Sequence, residues 1–233
     1  MIERDWTGEL EDWLQERFAG MGQAAGQRIP LSGLRINPSL GEEEAKHFLL
    51  GLEDGLFVLD EAGHVQSDLL GEADAPAYRI FTDDPVAPRL LRENVCQLAT
   101  ASRLILKRGW LKRHVALAPS SHEHRATAHG VDLVVRSADG KILIWAEVKR
   151  SAVELQKLIA DLQACSRRGP HAHHDCGFQQ NHPRYEFCIS RRPAYLWAVA
   201  PDAEFCFETS YEQGSLGLSE LPALPPRSLL ELA

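Results

Sequence analysis

Three residues in the middle of the chain have types and a spacing that could do chemistry together: Asp132, Glu147 and Lys149. Residues i and i+2 of a strand share a face, so Glu147 and Lys149 project together while Val148 points away. Val131–Val135 is apolar and β-branched around Asp132, Ser137-Ala138-Asp139-Gly140 supplies a turn, and Ile142–Val148 is a second apolar run. The two runs predict a hairpin that brings Asp132 within cross-strand reach of Glu147 and Lys149. Two carboxylates converging with a backbone carbonyl, that of Val148, make a hard oxygen site suited to Mg²⁺ or Mn²⁺. Such a cation acidifies a water and neutralises charge developing on a phosphoryl group, while Lys149 would orient that water and offset phosphate charge. Ile142-Leu143-Ile144-Trp145-Ala146 is apolar on both faces, as in a buried central strand, so charges at its end need a purpose.

Positioning these groups falls to the elements around them. Upstream, Leu90, Leu91, Val95, Leu98, Ala101, Leu104 and Ile105 recur at helical spacing and predict a helix over 89–108, stopped by Gly109. Glu93 lies on that helix, near Arg89 and Arg92. Leu111–Ala118 predicts a strand. Downstream, Ser151-Ala152-Val153-Glu154 is a capping box opening a helix that buries Leu155, Leu158, Ile159, Leu162 and Cys165 and reaches Arg168 before Gly169-Pro170. Gln156 and Gln163 border its apolar stripe. Tyr195–Ala200 predicts a final apolar strand, after which the tail, with Pro222, Pro225 and Pro226, is expected to add a strand at Phe205–Phe207 and then wander.

At 233 residues, 44% hydrophobic and 25% charged, the chain falls in the globular class and is long enough to bury a real core. The net charge of −8 speaks against a polyanion partner until it is divided: residues 1–84 carry −12, residues 85–201 carry +9 and residues 202–233 carry −5. Phosphate contacts need local rather than global positive charge. The division suggests an acidic N-terminal region over 1–84, a basic core over 85–201 and an acidic, Pro-containing extension over 202–233. In the core, Lys112, Arg113, Arg150, Arg167 and Arg168 are candidates for gripping a phosphate backbone, together with Arg103, Lys107, Arg108, Arg191 and Arg192.

The N-terminal region predicts a helix over 8–19, a second helix capped by Ser39 and running through Glu42, Glu43 and Glu44 to about Leu52, and a hairpin over 56–66. Two helices and a hairpin suit a winged-helix module, but so acidic a surface repels phosphate. This region is therefore expected to contact a protein partner, pack on the core or shield its basic face. No apolar run is long enough to cross a bilayer, and Met1-Ile2-Glu3-Arg4-Asp5 lacks the pattern of a secretion signal, which makes a cytoplasmic location the expectation. Five cysteines without a CxxC pair suggest reduced thiols.

Two polar segments remain. Ser120–His129, just before Asp132, predicts a loop near the proposed cation. Cys165, His171, Cys176 and His182 have the types to hold structural Zn²⁺ but match no zinc spacing, and their segment reads instead as a loop that is flexible or faces nucleic acid. No phosphate loop, nucleophile elbow or HExxH helix is present, which excludes ATPases, serine hydrolases and zincins in their usual forms.

The order helix, strand, hairpin, helix, strand, with an acid on the first hairpin strand and an acid-x-Lys ending the second, resembles the PD-(D/E)XK, or restriction-endonuclease-like, nuclease superfamily. The resemblance covers about half the chain, from Arg89 to Ala200, and departs from the family in having Gly130-Val131 rather than a proline before Asp132. It implies an α/β fold: a restriction-endonuclease-like core with a mixed central β-sheet flanked by helices, here with a small acidic α+β N-terminal region. It also implies a Mg²⁺- or Mn²⁺-dependent nuclease, an endonuclease on DNA by preference, leaving 5′-phosphates. The carried-over residues are Asp132 and Glu147 as metal-binding acids and Lys149 as the catalytic lysine. Glu93 resembles the extra helical acid of some members, and Gln163 a glutamine that contacts the site in others. A homodimer is compatible with this reading, and the rival is a catalytically silent scaffold of the same fold that binds nucleic acid or a protein.

Overall fold

The computed structural model describes residues 4–18, 40–70, 78–82, 89–118, 131–169 and 171–230. In chain order its elements are helices α1 (Trp6–Phe18) and α2 (Glu42–Glu53), a small hairpin of β1 (Val58–Leu59) and β2 (Val65–Gln66), and helix α3 (Arg92–Ser102). Strands β3 (Val115–Leu117), β4 (Leu133–Arg136) and β5 (Ile142–Val148) follow, then helices α4 (Ala152–Arg168) and α5 (His182–Arg191). Strands β6 (Tyr195–Ala200), β7 (Ala203–Glu212) and β8 (Ser215–Leu221) and a closing turn of helix, α6 (Arg227–Leu230), complete the described chain.

Six of these strands form one mixed, mostly antiparallel sheet in the order β3-β4-β5-β6-β7-β8. Only β5 and β6 pair in parallel among its strands, Glu147 opposite Ala198 and Val148 opposite Val199. A parallel pair needs a long crossover, and α4 with α5 supplies it. Period-two alternation sends Leu133, Val135, Ala146 and Val148 into a core shared with α1, α2 and α3. Val134, Trp145 and Leu196 instead point into a second core beneath α4 and α5. All seven residues of β5 are buried, Glu147 among them.

Several expectations change. The helix over 89–108 is α-helical only to Ser102, then loosens into a π turn over Arg103–Lys107 and a separate 3₁₀ turn over Lys112–His114, which shortens the strand expected from Leu111. The capping of α4 is half realised: the Ser151 hydroxyl accepts the Glu154 N–H, while the Glu154 carboxylate turns to Arg150. Ser39, the expected cap of α2, lies outside the described residues. The Gly41 N–H donates to Glu44 Oε2 instead, at 3.0 Å.

The described part of the extension, residues 202–230, does not wander. Phe205, Phe207, Thr209 and Tyr211 alternate with Cys206, which is buried in the first core, and with the exposed Glu204, Glu208, Ser210 and Glu212, and Gln213-Gly214, both at positive φ, make the tight turn into β8. The resulting hairpin completes the sheet, because the apolar faces of β7 and β8 need α4 and α5 to cover them. Nor do the described residues among 1–84 stand apart. Leu10, Phe48, Phe57 and Phe81 bury themselves in one cluster with Leu98, Ile144 and Trp197. No helix among the described residues is long and apolar enough to cross a membrane.

The packing of α2 on α3 passes through Gly51, where an added Cβ would strike Ser102 Oγ and come within 2.6 Å of the buried Phe57 ring. Gly51→Ala is expected to lower stability by about 2 kcal/mol in urea unfolding, since overpacking a close helix contact costs more than the helix propensity gained. An unchanged midpoint would contradict this packing.

Candidate functional site

The end of β5 is where the charges gather. Strand geometry places Trp145, Glu147 and Lys149 on one side, and Glu147 is fully buried there. Its Oε1 accepts the Trp145 indole N–H at 3.0 Å, and its Oε2 accepts from Lys149 Nζ at 3.2 Å and from Arg184 Nε on α5 at 2.5 Å. Asp132, just before β4 and 5% exposed, accepts the Val148 N–H at 2.7 Å through Oδ2 and Gln97 Nε2 at 2.8 Å through Oδ1. Gln97 is oriented in turn by Tyr78, whose hydroxyl donates to Oε1 at 2.6 Å. With the amide oxygen so engaged, the amide nitrogen must face Asp132.

Lys149 Nζ sits at the centre. It lies 3.4 Å from Asp132 Oδ2, 3.2 Å from Glu147 Oε2, 2.8 Å from the Val148 carbonyl and 3.5 Å from Glu93 Oε1. These are the four groups that the sequence nominated as metal ligands: Asp132, Glu147, Val148 and Glu93. They come from three places, the start of β4, the end of β5 and the first turn of α3, and converge on one point that the lysine's own ammonium fills. As a donor set they fit a hard divalent cation, with two buried carboxylates, a carbonyl and a half-exposed third carboxylate.

Three carboxylates facing two cations leave the cluster with a net negative charge. Burial, followed by the charge of Glu147, raises the Asp132 carboxyl to about 7. Burial pushes Glu147 the same way, but Arg184 and Lys149 overcome it and hold that carboxylate below its ordinary range. Burial opposes the charge on Lys149, yet Glu147 and Asp132 outweigh it and raise the ammonium well above its usual value. The two acids are thereby driven apart.

The cluster opens on one side into a cleft of about 400 Å³ whose wall includes Glu93, Lys149, Arg150, Lys157, Asn181 and Arg184. Of the residues proposed for phosphate contact, Arg150 lines this cleft, paired with Glu154. Arg167 and Arg168 are exposed at the far end of α4, about 15 Å along the helix from Leu158 at a rise of 1.5 Å per residue. Lys112 pairs with Asp68 at 2.9 Å, and Arg113 is exposed beside it. Arg103 and Arg108 are committed elsewhere, bonded to Glu204 and set over the Trp197 ring.

Gln163 requires correction. The residues of α4 that border the cleft are Glu154, Lys157 and Leu158, with Asp161 buried one turn on. Gln163 is five positions past Leu158, turned about 140° away, and exposed, as is Gln156. In its place, Asp161 binds Lys157 at 3.0 Å and Asn181 at 2.8 Å. The loop 120–129 lies outside the described residues, as does Gly130.

Arg184 was missed because the segment around it reads as a His-rich loop. A signal existed: Pro183 in a first helical turn, followed by Tyr185 and Cys188 on one face, is a helix start. Neither a family model, nor a curated protein, nor a solved structure matches this chain.

A carboxyl whose pKa is higher in the folded protein than in the unfolded chain, about 3.9, contributes stability that is present at low pH and lost as the pH rises through the folded value. For Asp132 that loss is complete above about 7. Asp132→Asn removes this titration, so thermal unfolding should show wild type losing a few kcal/mol of stability relative to the variant between about pH 5 and pH 8. The same pH dependence in the two proteins would contradict this electrostatic description.

Proposed function

We propose that this protein is a metal-dependent nuclease that hydrolyses phosphodiester bonds, in DNA by preference, leaving 5′-phosphates. One observation carries the reading: Asp132, Glu147, the Val148 carbonyl and Glu93 converge on a single cationic point at the mouth of a cleft bordered by Arg150, Lys157 and Arg184. Those four groups would hold Mg²⁺ or Mn²⁺. A divalent cation bound there supplies an acidified water and neutralises charge at the scissile phosphate.

The chain's own residues do the rest. Lys149 already lines the cleft, and with a cation on those four oxygens its ammonium would be released to orient a water and meet a phosphate oxygen. Arg184 stays on Glu147 and fixes the direction of that carboxylate, much as a second partner orients a metal-binding histidine. The chain Tyr78–Gln97 does the same for Asp132. Arg150 and Lys157 draw the phosphate backbone in without reading its sequence.

A catalytically silent scaffold that binds nucleic acid is the second reading. It is favoured by the pairing of Arg184 with Glu147, since a guanidinium cannot give up its charge to make room for a metal.

Plasmid nicking in Mg²⁺ or Mn²⁺ separates the two. Wild type should nick supercoiled DNA and lose that activity in a chelator. Asp132→Asn and Glu147→Gln should each slow it at least about 100-fold, the size of effect seen when one charge-stabilising group is lost. Gln163→Ala should leave the rate unchanged, as befits an exposed side chain on the wrong face of α4. Equal nicking by wild type and both carboxylate variants overturns the assignment, and DNA binding without cleavage by wild type turns it to the silent scaffold.

A further inference from the structure

Below the cleft, where α4 ends and α5 begins, a second group of ligating side chains has no part in the chemistry just described. Cys165 is fully buried in the last turns of α4, Cys176 is 3% exposed after a short 3₁₀ turn, and His171 lies between them. One ligand atom from each of the three falls within 4.8 Å of the others, and the two Sγ atoms are 3.3 Å apart.

His182, the first residue of α5, adds the decisive observation. It is fully buried, its ring centroid is 4.7 Å from that of His171, and neither of its ring nitrogens has a hydrogen-bond partner among the described residues. Two unsatisfied imidazole nitrogens in an interior are costly and call for an explanation. His171 repeats the pattern. Its Nδ1 donates to the Gly169 carbonyl at 2.7 Å, which fixes the tautomer and leaves the buried Nε2 lone pair facing the Cys176 thiol without a well-formed hydrogen bond. Outward N–H to a carbonyl and inward lone pair is how a histidine is held when it binds a metal. In His182 the Nδ1 faces Glu186 Oε1 at 3.8 Å, which leaves Nε2 as the ligating nitrogen.

We propose that Cys165, His171, Cys176 and His182 bind a structural Zn²⁺. Two thiolates and two imidazoles suit zinc over harder cations, and four protein ligands close the site, so its role is to hold structure. Binding releases the two thiol protons to solvent and forms no other bond. The site locks the end of α4 to the start of α5 two residues before Arg184, and so sets where that guanidinium meets Glu147. The even spacing of the ligands, five or six residues apart, fits no short zinc motif because the helices, rather than a knuckle, bring them together. This assignment does not depend on the nuclease reading.

The test begins with the full-length wild-type protein. Purified under reducing conditions, it should carry about one zinc per chain, survive dialysis with it, and lose thermal stability when a strong chelator strips it. Reloading with Co²⁺ should give the thiolate-to-cobalt charge-transfer band and the intense visible bands of tetrahedral S₂N₂ coordination. Cys165→Ser and His182→Ala should each lose the metal, while Cys206→Ser, a buried cysteine on β7 outside the group, should keep it. A folded wild-type protein free of zinc that gives no tetrahedral Co²⁺ spectrum overturns the proposal even if the variants fail to fold. So does a Cys165–Cys176 disulfide in the wild-type chain, or full zinc retention in His182→Ala.

Discussion

One buried ammonium organises this molecule. Lys149 Nζ sits among oxygens of Asp132, Glu147, Val148 and Glu93, and around it the protein solves the problem of keeping carboxylates inside a sheet. Removing one member of such a buried set costs about 3–5 kcal/mol, because the partner charge is left uncompensated. The surrounding elements are therefore bound to each other by electrostatics as well as by packing. β5 carries Glu147 inward, α3 brings Glu93 and Gln97, and α5 brings Arg184. The surplus negative charge that remains is what a divalent cation would complement.

The acidic ends of the chain acquire a different meaning in this light. Residues 1–84 contribute Tyr78 to the Gln97–Asp132 chain and several large rings to the core beneath β5, so they help to build the site. Their acids are in part neutralised locally: Glu43 takes Lys107, and Glu9 and Glu53 take Arg4. At the other end, Glu204 holds Arg103 and Arg108 against Trp197. Much of the positive charge counted in the middle of the sequence is thus held in internal pairs, and this includes the cleft, where Arg150 pairs with Glu154, Lys157 with Asp161 and Arg184 with Glu147. Net charge by segment counts such groups without telling which of them are paired.

Local periodicity made much of the site legible. The alternation around Asp132 and the wholly apolar run before Glu147 predicted the hairpin, and the side-chain period of two predicted that Glu147 and Lys149 share a face. Glu93 followed from its place in the first turn of a helix ahead of the sheet. What failed was whatever depended on tertiary placement. Gln163 lies on the border of an apolar stripe, and only the angle at which α4 crosses the sheet decides which border meets the cleft. Arg184 lay in a segment whose histidines and cysteines masked a short helix. The β7–β8 hairpin was hidden because its strands are half-exposed, with prolines and acids nearby that read as an irregular tail. The same histidines and cysteines looked unmatched in sequence because two helices and a turn must fold before they meet.

The claim that the lysine's ammonium holds the place of a divalent cation is open to direct observation. A crystal grown without metal and then soaked in Mn²⁺ would show, by anomalous scattering, where the ion goes. The expected result is a peak among the Asp132 and Glu147 carboxylates and the Val148 carbonyl, with Lys149 swung out into the cleft. Lys149 left in place, with no peak at those oxygens, would contradict it and leave the cluster a structural ion-pair network.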